Sequence, residues 1–179
     1  MEMLQTFSEM LEVRSLETRY SVHQLGLWHK STQVYLFNTE GELLIQQRSE
    51  IKDLYPGLWA DSVGEHLKPG ESFEEGALRG LSEELSVSGV KVFEFGVLRS
   101  SDLSSGELVD REFRQAFVGR CNGPVKSDPK EVQAVSWISL KALSDELLNS
   151  PEKFSPSFLK DINELGLFVS WGQILERIV

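Results

Sequence analysis

Cysteine is almost absent from this chain of 179 residues, because Cys121 is the only one. A single thiol excludes an intramolecular disulfide and leaves no pair of thiols for a zinc or redox centre. Cys121 stands at the end of an apparent strand, and no histidine lies near it in sequence. These two features favour a small core or edge residue over the alternative, a nucleophile.

Positive charge is also scarce. The chain has 18 Lys and Arg against 28 Asp and Glu, which gives a net charge of −10 and a pI near 4.8. Nucleic acids and anionic membranes are bound through clustered Lys and Arg, so we expect neither as a partner. An acidic protein can still bind a phosphorylated small molecule, through local cations or through metal ions held by its acids.

Long apolar runs are missing as well. Residues 1–14 contain acids and no extended apolar core, so they resemble neither a signal peptide nor a transmembrane span. The composition, 40% apolar and 26% charged, is that of an ordinary soluble globular protein. We therefore expect a cytoplasmic protein with one domain over residues 1–179, including an N-terminal extension at about 1–20 and C-terminal helices at about 156–179.

The order of predicted elements indicates a mixed α/β layered domain. Two apolar runs, residues 33–38 and 42–49, are joined by a turn sequence that ends in Gly41, which is typical of a β-hairpin. A short strand at Trp59 is expected to lead into a loop at Gly64. Further strands are predicted at residues 91–99, 112–120 and 132–138, and helices at residues 73–85, 140–148, from 156 to Gly166 and over about the last dozen residues.

The predicted helix over residues 73–85 is the most informative segment. Ser72 and Glu75 have the spacing of a capping box, and the helix ends in adjacent carboxylates, Glu83 and Glu84. Such a pair can hold a divalent metal against phosphate oxygens. A carboxylate at position 80 would lie on the same helix face and complete a trio, but the chain has Gly80 there.

A second glycine, Gly76, lies on the same face one turn before Gly80. Two glycines inside a helix cost about 1 kcal/mol each relative to alanine. We therefore expect a neighbour to need the space that they leave. That neighbour is either a bound ligand or a loop packed close to the helix backbone, and the loop is slightly favoured.

From Glu71 onward the chain reads E-x7-R-G-L-x-E-E-x-S-V. This pattern resembles the Nudix box, GX5EX7REUXEEXGU with U an apolar residue, the signature of enzymes that cleave nucleoside diphosphates linked to another group. The later positions that match are Arg79, Leu81, Glu83, Glu84 and Val87, and the positions that differ are Glu65, Gly80 and Ser86. The resemblance implies the Nudix fold, an α/β/α sandwich with a mixed sheet.

A longer stretch resembles the isopentenyl diphosphate isomerase branch of the Nudix superfamily. The similar residues are Arg48, Lys52, Tyr55-Pro56-Gly57, Trp59, Ser62-Val63, His66, Gly70-Glu71, Glu131-Val132, Trp137 and Phe154-Ser155-Pro156. All three histidines, His23, His29 and His66, fall where that branch has metal-binding histidines, and Asp110 and Glu112 fall near its paired glutamates. That branch protonates an alkene with a cysteine. Gly64 occupies the corresponding position here, which argues against isomerase activity.

The resemblance implies a site for Mg²⁺ or Mn²⁺ and for a small-molecule diphosphate. The implied metal ligands are Glu83, Glu84, Glu71 and His66, the implied catalytic residues are Glu84, Glu83, Arg79 and Glu112, and the implied substrate-binding residues are Arg48 and Lys52. The residues alone leave other readings open. The paired glutamates are common on helix surfaces, the arginine fits an i±4 salt-bridge row, the histidines fit a core, and the cations fit a solvated loop.

Three functions follow, in order of preference. The first is metal-dependent hydrolysis of a diphosphate, the second is diphosphate binding without catalysis, and the third is an isomerase-like reaction that uses the histidines. Gly80 separates the first two, because a strict three-glutamate mechanism predicts a nearly inactive enzyme.

Overall fold

A computed structural model describes residues 2–179. In chain order its elements are β1 Met3–Phe7, β2 Val13–Thr18, α1 Arg19–Leu25, β3 His29–Phe37, β4 Leu43–Arg48, β5 Trp59–Ala60, β6 Val63–His66, α2 Phe73–Leu85, β7 Val92–Ser105, β8 Leu108–Arg120, β9 Val132–Ile138, α3 Leu140–Asn149, a 3₁₀ turn at Pro151–Lys153, α4 Pro156–Glu164 and α5 Leu167–Arg177. Within the described range, no helix has the length and apolar character needed to cross a membrane.

The main sheet is mixed, with β3 and β8 at its centre. These two strands run parallel, in a register that sets His29 opposite Glu112. On the outer side of β8, β7 pairs antiparallel with it. On the other side of β3, β6 and β4 pair antiparallel with different parts of the strand, and β4 also pairs with β5 and β9. β1 and β2 form a separate hairpin.

Alternation along β3 divides the core between two helical layers. Val34 and Leu36 join the apolar cluster under α2, whereas Tyr35 and Phe37 join the cluster under α3, α4 and α5. All four side chains are fully buried. Because successive side chains of a strand point to opposite faces, this single strand fixes helices on both sides of the sheet. The expected α/β/α sandwich with a mixed sheet is confirmed.

The bounds predicted for α2 and β9 are confirmed. At the start of α2, the Ser72 backbone N–H donates to the Glu75 carboxylate at 2.9 Å, and the Glu75 N–H donates to Ser72 Oγ at 3.3 Å. At its end, Ser86 has a φ of 54°, the left-handed conformation that favours the glycine of the Nudix box. Cys121 is buried just after β8, as a core residue would be.

Other expectations were wrong or incomplete. The loop expected at Gly64 is part of β6, because Val63 is fully buried opposite Val34 and holds this segment in the sheet. The strands expected at residues 91–99 and 112–120 belong to a longer hairpin, β7 and β8, which turns at Gly106. The N-terminal extension, expected at about 1–20, contains β1, β2 and the start of α1, which were not predicted.

α2 lies close against β6 because its two glycines lack side chains. A Cβ at Gly80 would lie 2.7 Å from Cγ1 of Val63 and 3.0 Å from Cβ of Glu65, and a Cβ at Gly76 would lie 3.2 Å from Cδ1 of Leu67. The preferred explanation, close packing against the helix backbone, is therefore confirmed. The neighbour is the strand β6 and the residue that follows it, where a loop had been expected.

Candidate active site

A cavity of about 390 Å³ opens between β6, β8, α2 and the loop that follows β4. The predicted site residues that line it are Arg48, Lys52, His66, Arg79, Glu83, Glu84, Asp110 and Glu112. Glu71 lies outside this lining, and His23 and His29 are fully buried behind it. The fold therefore gathers residues from distant parts of the sequence around a single space.

Strand register assembles the histidines with the downstream acids. His29 begins β3 beside its register partner Glu112 in β8, and Asp110 lies two residues earlier on the same face of β8. His66 ends β6, on the other side of β3, and His23 comes from the last turn of α1. The three imidazole rings have centroids between 4.8 and 5.4 Å apart.

This cluster has unpaired polar atoms that converge. One ligand atom from each of His23, His29, His66 and Asp110 lies within 4.8 Å of the others. Nε2 of His23, Nε2 of His29 and Oδ1 of Asp110 are buried without a hydrogen-bond partner among the described residues, while Nδ1 of His23 lies 3.5 Å from Oδ2 of Asp53. Buried polar atoms are nearly always paired, so the arrangement fits a bound cation. Imidazole and carboxylate donors suit divalent manganese, iron or zinc.

The protonation of His29 also suits a metal ligand. Its Nδ1 lies 3.0 Å from the carbonyl oxygen of Leu27, so Nδ1–H donates there and Nε2 is left with a lone pair, 3.5 Å from Oδ1 of Asp110. Burial and the charge of His66 lower the pKa of His29 to about 3, and burial also lowers the pKa of His66. Neutral imidazole is the form that binds metals.

Asp110 and Glu112 are neighbouring buried acids whose pKa values shift in opposite directions. Burial alone would raise the pKa of Glu112, but the Arg114 guanidinium, 3.3 Å from Oε2, lowers it to about 2 together with His29 and His66. Burial and the charge of Glu112 instead raise the pKa of Asp110. The two carboxyl groups therefore differ in proton affinity, and Glu112 is the one that stays ionised next to the imidazoles.

Arg79 connects three parts of the site. Its Nε and Nη2 donate to the two oxygens of Glu71 at 2.7 and 2.8 Å, and Nη2 also donates to the carbonyl oxygen of His66 at 2.8 Å. Its Nη1 lies 3.1 Å from Glu83 and 3.2 Å from Glu65. The i,i+4 pair of Arg79 with Glu83 is therefore present, together with contacts to Glu71, Glu65 and the backbone of β6. Because Arg79 engages both oxygens of Glu71, the metal-ligand role of Glu71 stays a prediction.

Another carboxylate of the cavity, beside the two of α2, comes from Glu65 in β6. The Cβ and Cγ atoms of Glu65 lie 3.0 and 3.3 Å from the position that a Cβ at Gly80 would take. Glu65 also lines the cavity together with Glu83 and Glu84. The side chain of Glu65 therefore crosses the helix face that Gly80 leaves bare, and the effect of Gly80 on the acid cluster stays a prediction.

The two helix carboxylates have different environments. Glu84 is 6% exposed and accepts a hydrogen bond from Nε2 of Gln46 at 3.2 Å, while Oε1 of Gln46 has no partner among the described residues. Burial and the charge of Glu65 raise the pKa of Glu84 to about 8. A divalent cation would displace that proton. Glu83 is about half exposed and pairs with Arg79 and Lys68.

The predicted diphosphate-binding cations share one wall of the cavity. Arg48 and Lys52 both come from the end of β4 and the loop after it. Arg48 Nε donates to the Leu54 carbonyl at 3.0 Å, and Lys52 pairs with Glu131. These contacts hold two cations beside the carboxylates of an otherwise acidic protein, which suits phosphate oxygens.

Several residues that line the cavity were given no site role from the sequence, among them Tyr55, Asp61 and Glu65. For Glu65 a signal existed, because a charged residue stands where the Nudix box has its first glycine. Tyr55 belongs to the stretch that resembles the isomerase branch but had no role assigned to it, and Asp61 gave no signal, since the positions of both depend on the path of the chain between β4 and β6.

Comparison with known families settles the assignment. Residues 27–158 match the NUDIX domain. The chain is a member of the Nudix family. The matched span of this Nudix chain includes β3 to β9, α2 and the cavity residues of α2, β6 and β8.

Named relatives place the chain in the isopentenyl-diphosphate isomerase-like branch. It is 33% identical over 150 residues to an isopentenyl-diphosphate Delta-isomerase of Serratia proteamaculans, covering 84% of this chain and 83% of that one. It is 38% identical over 141 residues to the enzyme of that name from Cereibacter sphaeroides, covering 77% and 78%. The crystal structure of DR0079 from Deinococcus radiodurans shares the fold, with a TM-score of 0.74 and 21% identity over 92% of this chain and 99% of that one.

Proposed function

We propose that this Nudix protein is a metal-dependent hydrolase of a diphosphate bond in a small molecule. The observation that carries the proposal is the position of Glu65, which brings a third carboxylate beside Glu83 and Glu84 although residue 80 is glycine. Carboxylate oxygens of this kind suit Mg²⁺ or Mn²⁺. A divalent ion held there would polarise the diphosphate and lower the pKa of an attacking water.

The remaining roles fall to side chains of the cavity wall. Arg48 and Lys52 bind the phosphate oxygens and offset their charge. Arg79 is a positioning residue, because its Nη1 lies 3.2 Å from Glu65 and 3.1 Å from Glu83 and keeps both carboxylates in place. These contacts account for an arginine that points into an acid cluster.

We assign acceptance of the water proton to the carboxylate of Glu84, which is a candidate metal ligand as well. Glu112 is the other implied catalytic residue that could serve as the base. Its carboxylate, however, is 3.3 Å from Arg114 and faces His29 and His66 at 3.8 and 3.7 Å. These contacts place Glu112 with the histidine cluster, where the unpaired atoms of His23, His29 and Asp110 support a second metal position that His66 completes.

A second candidate is isomerisation of an alkenyl diphosphate. The histidine cluster and the names of the 33% and 38% identical relatives favour it. That reaction needs an acid that protonates an alkene, and Gly64 offers no side chain at the position implied for that acid. We therefore rank it below hydrolysis, together with a protein that binds a diphosphate and does not turn it over.

A substrate screen tests this ranking. The purified protein would be incubated with Mg²⁺ or Mn²⁺ and a panel of nucleoside diphosphates and isopentenyl diphosphate in D₂O, with phosphate release and deuterium incorporation both followed by NMR. We expect phosphate release at about 1 s⁻¹ and a loss of about 100-fold in Glu84→Gln. Glu74→Gln, which removes an exposed charge from the same helix, is the matched control and should keep full activity.

The other outcomes of the screen are equally informative. Deuterium incorporation without phosphate release would favour the isomerase, and tight binding with neither signal would favour the binding protein. Unchanged hydrolysis by Glu84→Gln would contradict the role given to Glu84.

A further inference from the structure

Arg114 connects the histidine cluster to the helix α4. Its Nε lies 3.3 Å from Oε2 of Glu112, and its Nη2 lies 2.9 Å from Oδ2 of Asp161. All three side chains are buried. Asp161 belongs to α4, beyond residues 27–158 that match the NUDIX domain. A residue outside the matched span is therefore one contact away from the candidate metal site.

The two oxygens of Glu112 have separate partners. Oε2 lies beside Arg114, whereas Oε1 lies 3.8 Å from Nε2 of His29 and 3.7 Å from Nε2 of His66. Because a carboxylate is rigid and planar, the pairing of Oε2 with the guanidinium keeps Oε1 on the side of the imidazoles. Carboxylates at metal sites are commonly oriented by such contacts from behind.

Asp161 is itself fixed through both of its oxygens. Oδ1 accepts a hydrogen bond from Nη1 of Arg99 at 2.6 Å, and Oδ2 accepts one from the hydroxyl of Tyr35 at 3.1 Å. Arg99 belongs to β7 and Tyr35 to β3. Two strands of the main sheet therefore hold the carboxylate that pairs with Arg114.

Stability alone does not account for this arrangement. A buried ion pair loses the hydration of both ions, and apolar residues of the same volume are often at least as stabilising. Glu164, in the same helix, already pairs with Arg99 at 3.4 Å and is more exposed. The pair of Asp161 with Arg114 instead reaches the cavity, because Arg114 and Glu112 line it.

We propose that Asp161 is a positioning residue for the metal position of the histidine cluster, and that it acts through Arg114. The inference rests on that metal position, which is part of the proposed function. Without Asp161, Glu112 would be the one carboxylate among the described residues that pairs with the guanidinium. The guanidinium could then turn and engage both oxygens of Glu112, which would withdraw Oε1 from the imidazoles and weaken metal binding.

Cobalt binding tests this role without turnover. Co²⁺ binds to sites of imidazole and carboxylate ligands, and its visible absorption changes with its ligands. Metal-free protein would be titrated with Co²⁺ and followed by calorimetry and by absorption. The signal that is lost in His29→Ala belongs to the histidine cluster, which separates it from binding by the carboxylates of α2.

Variants of α4 separate positioning from a structural role. Asp161→Asn should weaken Co²⁺ binding at the cluster by about tenfold or more and should change the absorption. Glu164→Gln is the matched control, because Glu164 pairs with Arg99 and has no ion pair with Arg114 among the described residues. Its affinity should stay within about twofold of wild type, with the same absorption.

Arg114→Lys provides a second test of the same connection, which also serves if circular dichroism shows that Asp161→Asn does not fold. Lysine keeps the positive charge but replaces the planar fork with a single nitrogen, so it cannot hold Glu112 and Asp161 in the same way. We expect Arg114→Lys to weaken Co²⁺ binding by about tenfold as well.

Two results would overturn the role of Asp161. The first is a folded Asp161→Asn that binds Co²⁺ as Glu164→Gln does, with the same absorption. The second is a wild type that binds Co²⁺ no better than His29→Ala, which would remove the metal position as well. Weaker Co²⁺ binding by Asp161→Asn in a protein that releases no phosphate would contradict hydrolysis and support the role of Asp161.

Discussion

Replacing Gly80 by alanine would add one methyl group at the contact between α2 and β6. The new Cβ would lie 2.7 Å from Cγ1 of Val63 and 3.0 Å from Cβ of Glu65. Carbon atoms in comfortable contact are separated by about 3.5 Å or more, so the helix or the strand has to move. Val63 has little freedom to do so, because it is fully buried and its strand pairs with β3.

The size of the effect follows from two opposing contributions. Glycine to alanine inside a helix stabilises by about 1 kcal/mol, and forcing an extra methyl group into a well-packed contact costs about 1–3 kcal/mol. We expect Gly80→Ala to lose about 1 kcal/mol overall. Gly172 in α5 is the matched control, because a Cβ there would meet no atom within 4 Å. Gly172→Ala should gain about 1 kcal/mol.

Urea unfolding followed by circular dichroism, on metal-free protein, measures both variants against wild type. The midpoints should move in opposite directions at an unchanged denaturant dependence. Shortening the neighbour should relieve the crowding, so Gly80→Ala should be less harmful in a Val63→Ala background than in wild type. Equal stabilisation by Gly80→Ala and Gly172→Ala would refute the close contact between α2 and β6.

Two further predictions concern buried polar groups. Folding raises the pKa of Asp61 from its ordinary 3.8 to about 7, so the folded state holds a proton that the unfolded state has released. Wild-type stability should fall as the pH rises through this window, by up to about 4 kcal/mol. Asp61→Asn has no titrating carboxyl group at this position. The free energy of unfolding of Asp61→Asn, relative to wild type, should therefore increase between about pH 5 and about pH 8, as measured by unfolding curves at both values. A difference that does not change with pH would contradict the raised pKa. His29→Ala should abolish tight binding of divalent manganese, iron or zinc, because Nε2 of His29 faces Oδ1 of Asp110 at 3.5 Å. Elemental analysis after dialysis measures the bound metal. A metal content equal to that of the control variant Glu74→Gln would argue against a metal site at the histidine cluster.

Local signals explain what the sequence could predict. The bounds of α2 follow from the Ser72–Glu75 capping box and from an apolar stripe at helical spacing, neither of which depends on distant residues. The members of the cavity wall, such as Arg48 and His66, could be named from their resemblance to a family pattern. The fold and the Nudix assignment are confirmed, whereas the roles of these residues and the single domain over residues 1–179 stay predictions.

Tertiary contacts explain what the sequence could not predict. The hairpin of β7 and β8 continues through polar residues such as Ser101 and Asp102, because backbone hydrogen bonds extend it where apolar alternation has stopped. The place of Glu65 depends on the pairing of β6 with β3, which decides the face that each side chain occupies. The pKa of Asp61 is raised first by burial in the fold and further by the nearby charge of Asp161, neither of which is visible in the sequence.

Residues 65 and 80 share one small volume, which the Glu65 side chain occupies because Gly80 has none. This limits how the site can change by mutation. A carboxylate at both positions would be crowded, because a Cβ at residue 80 already approaches Cβ of Glu65 to 3.0 Å. A small residue at both would leave the cavity one carboxylate short. Each single substitution between the two arrangements therefore gives either a crowded contact or one carboxylate fewer, and Gly80→Glu alone should crowd Glu65 and Val63 rather than simply add a carboxylate.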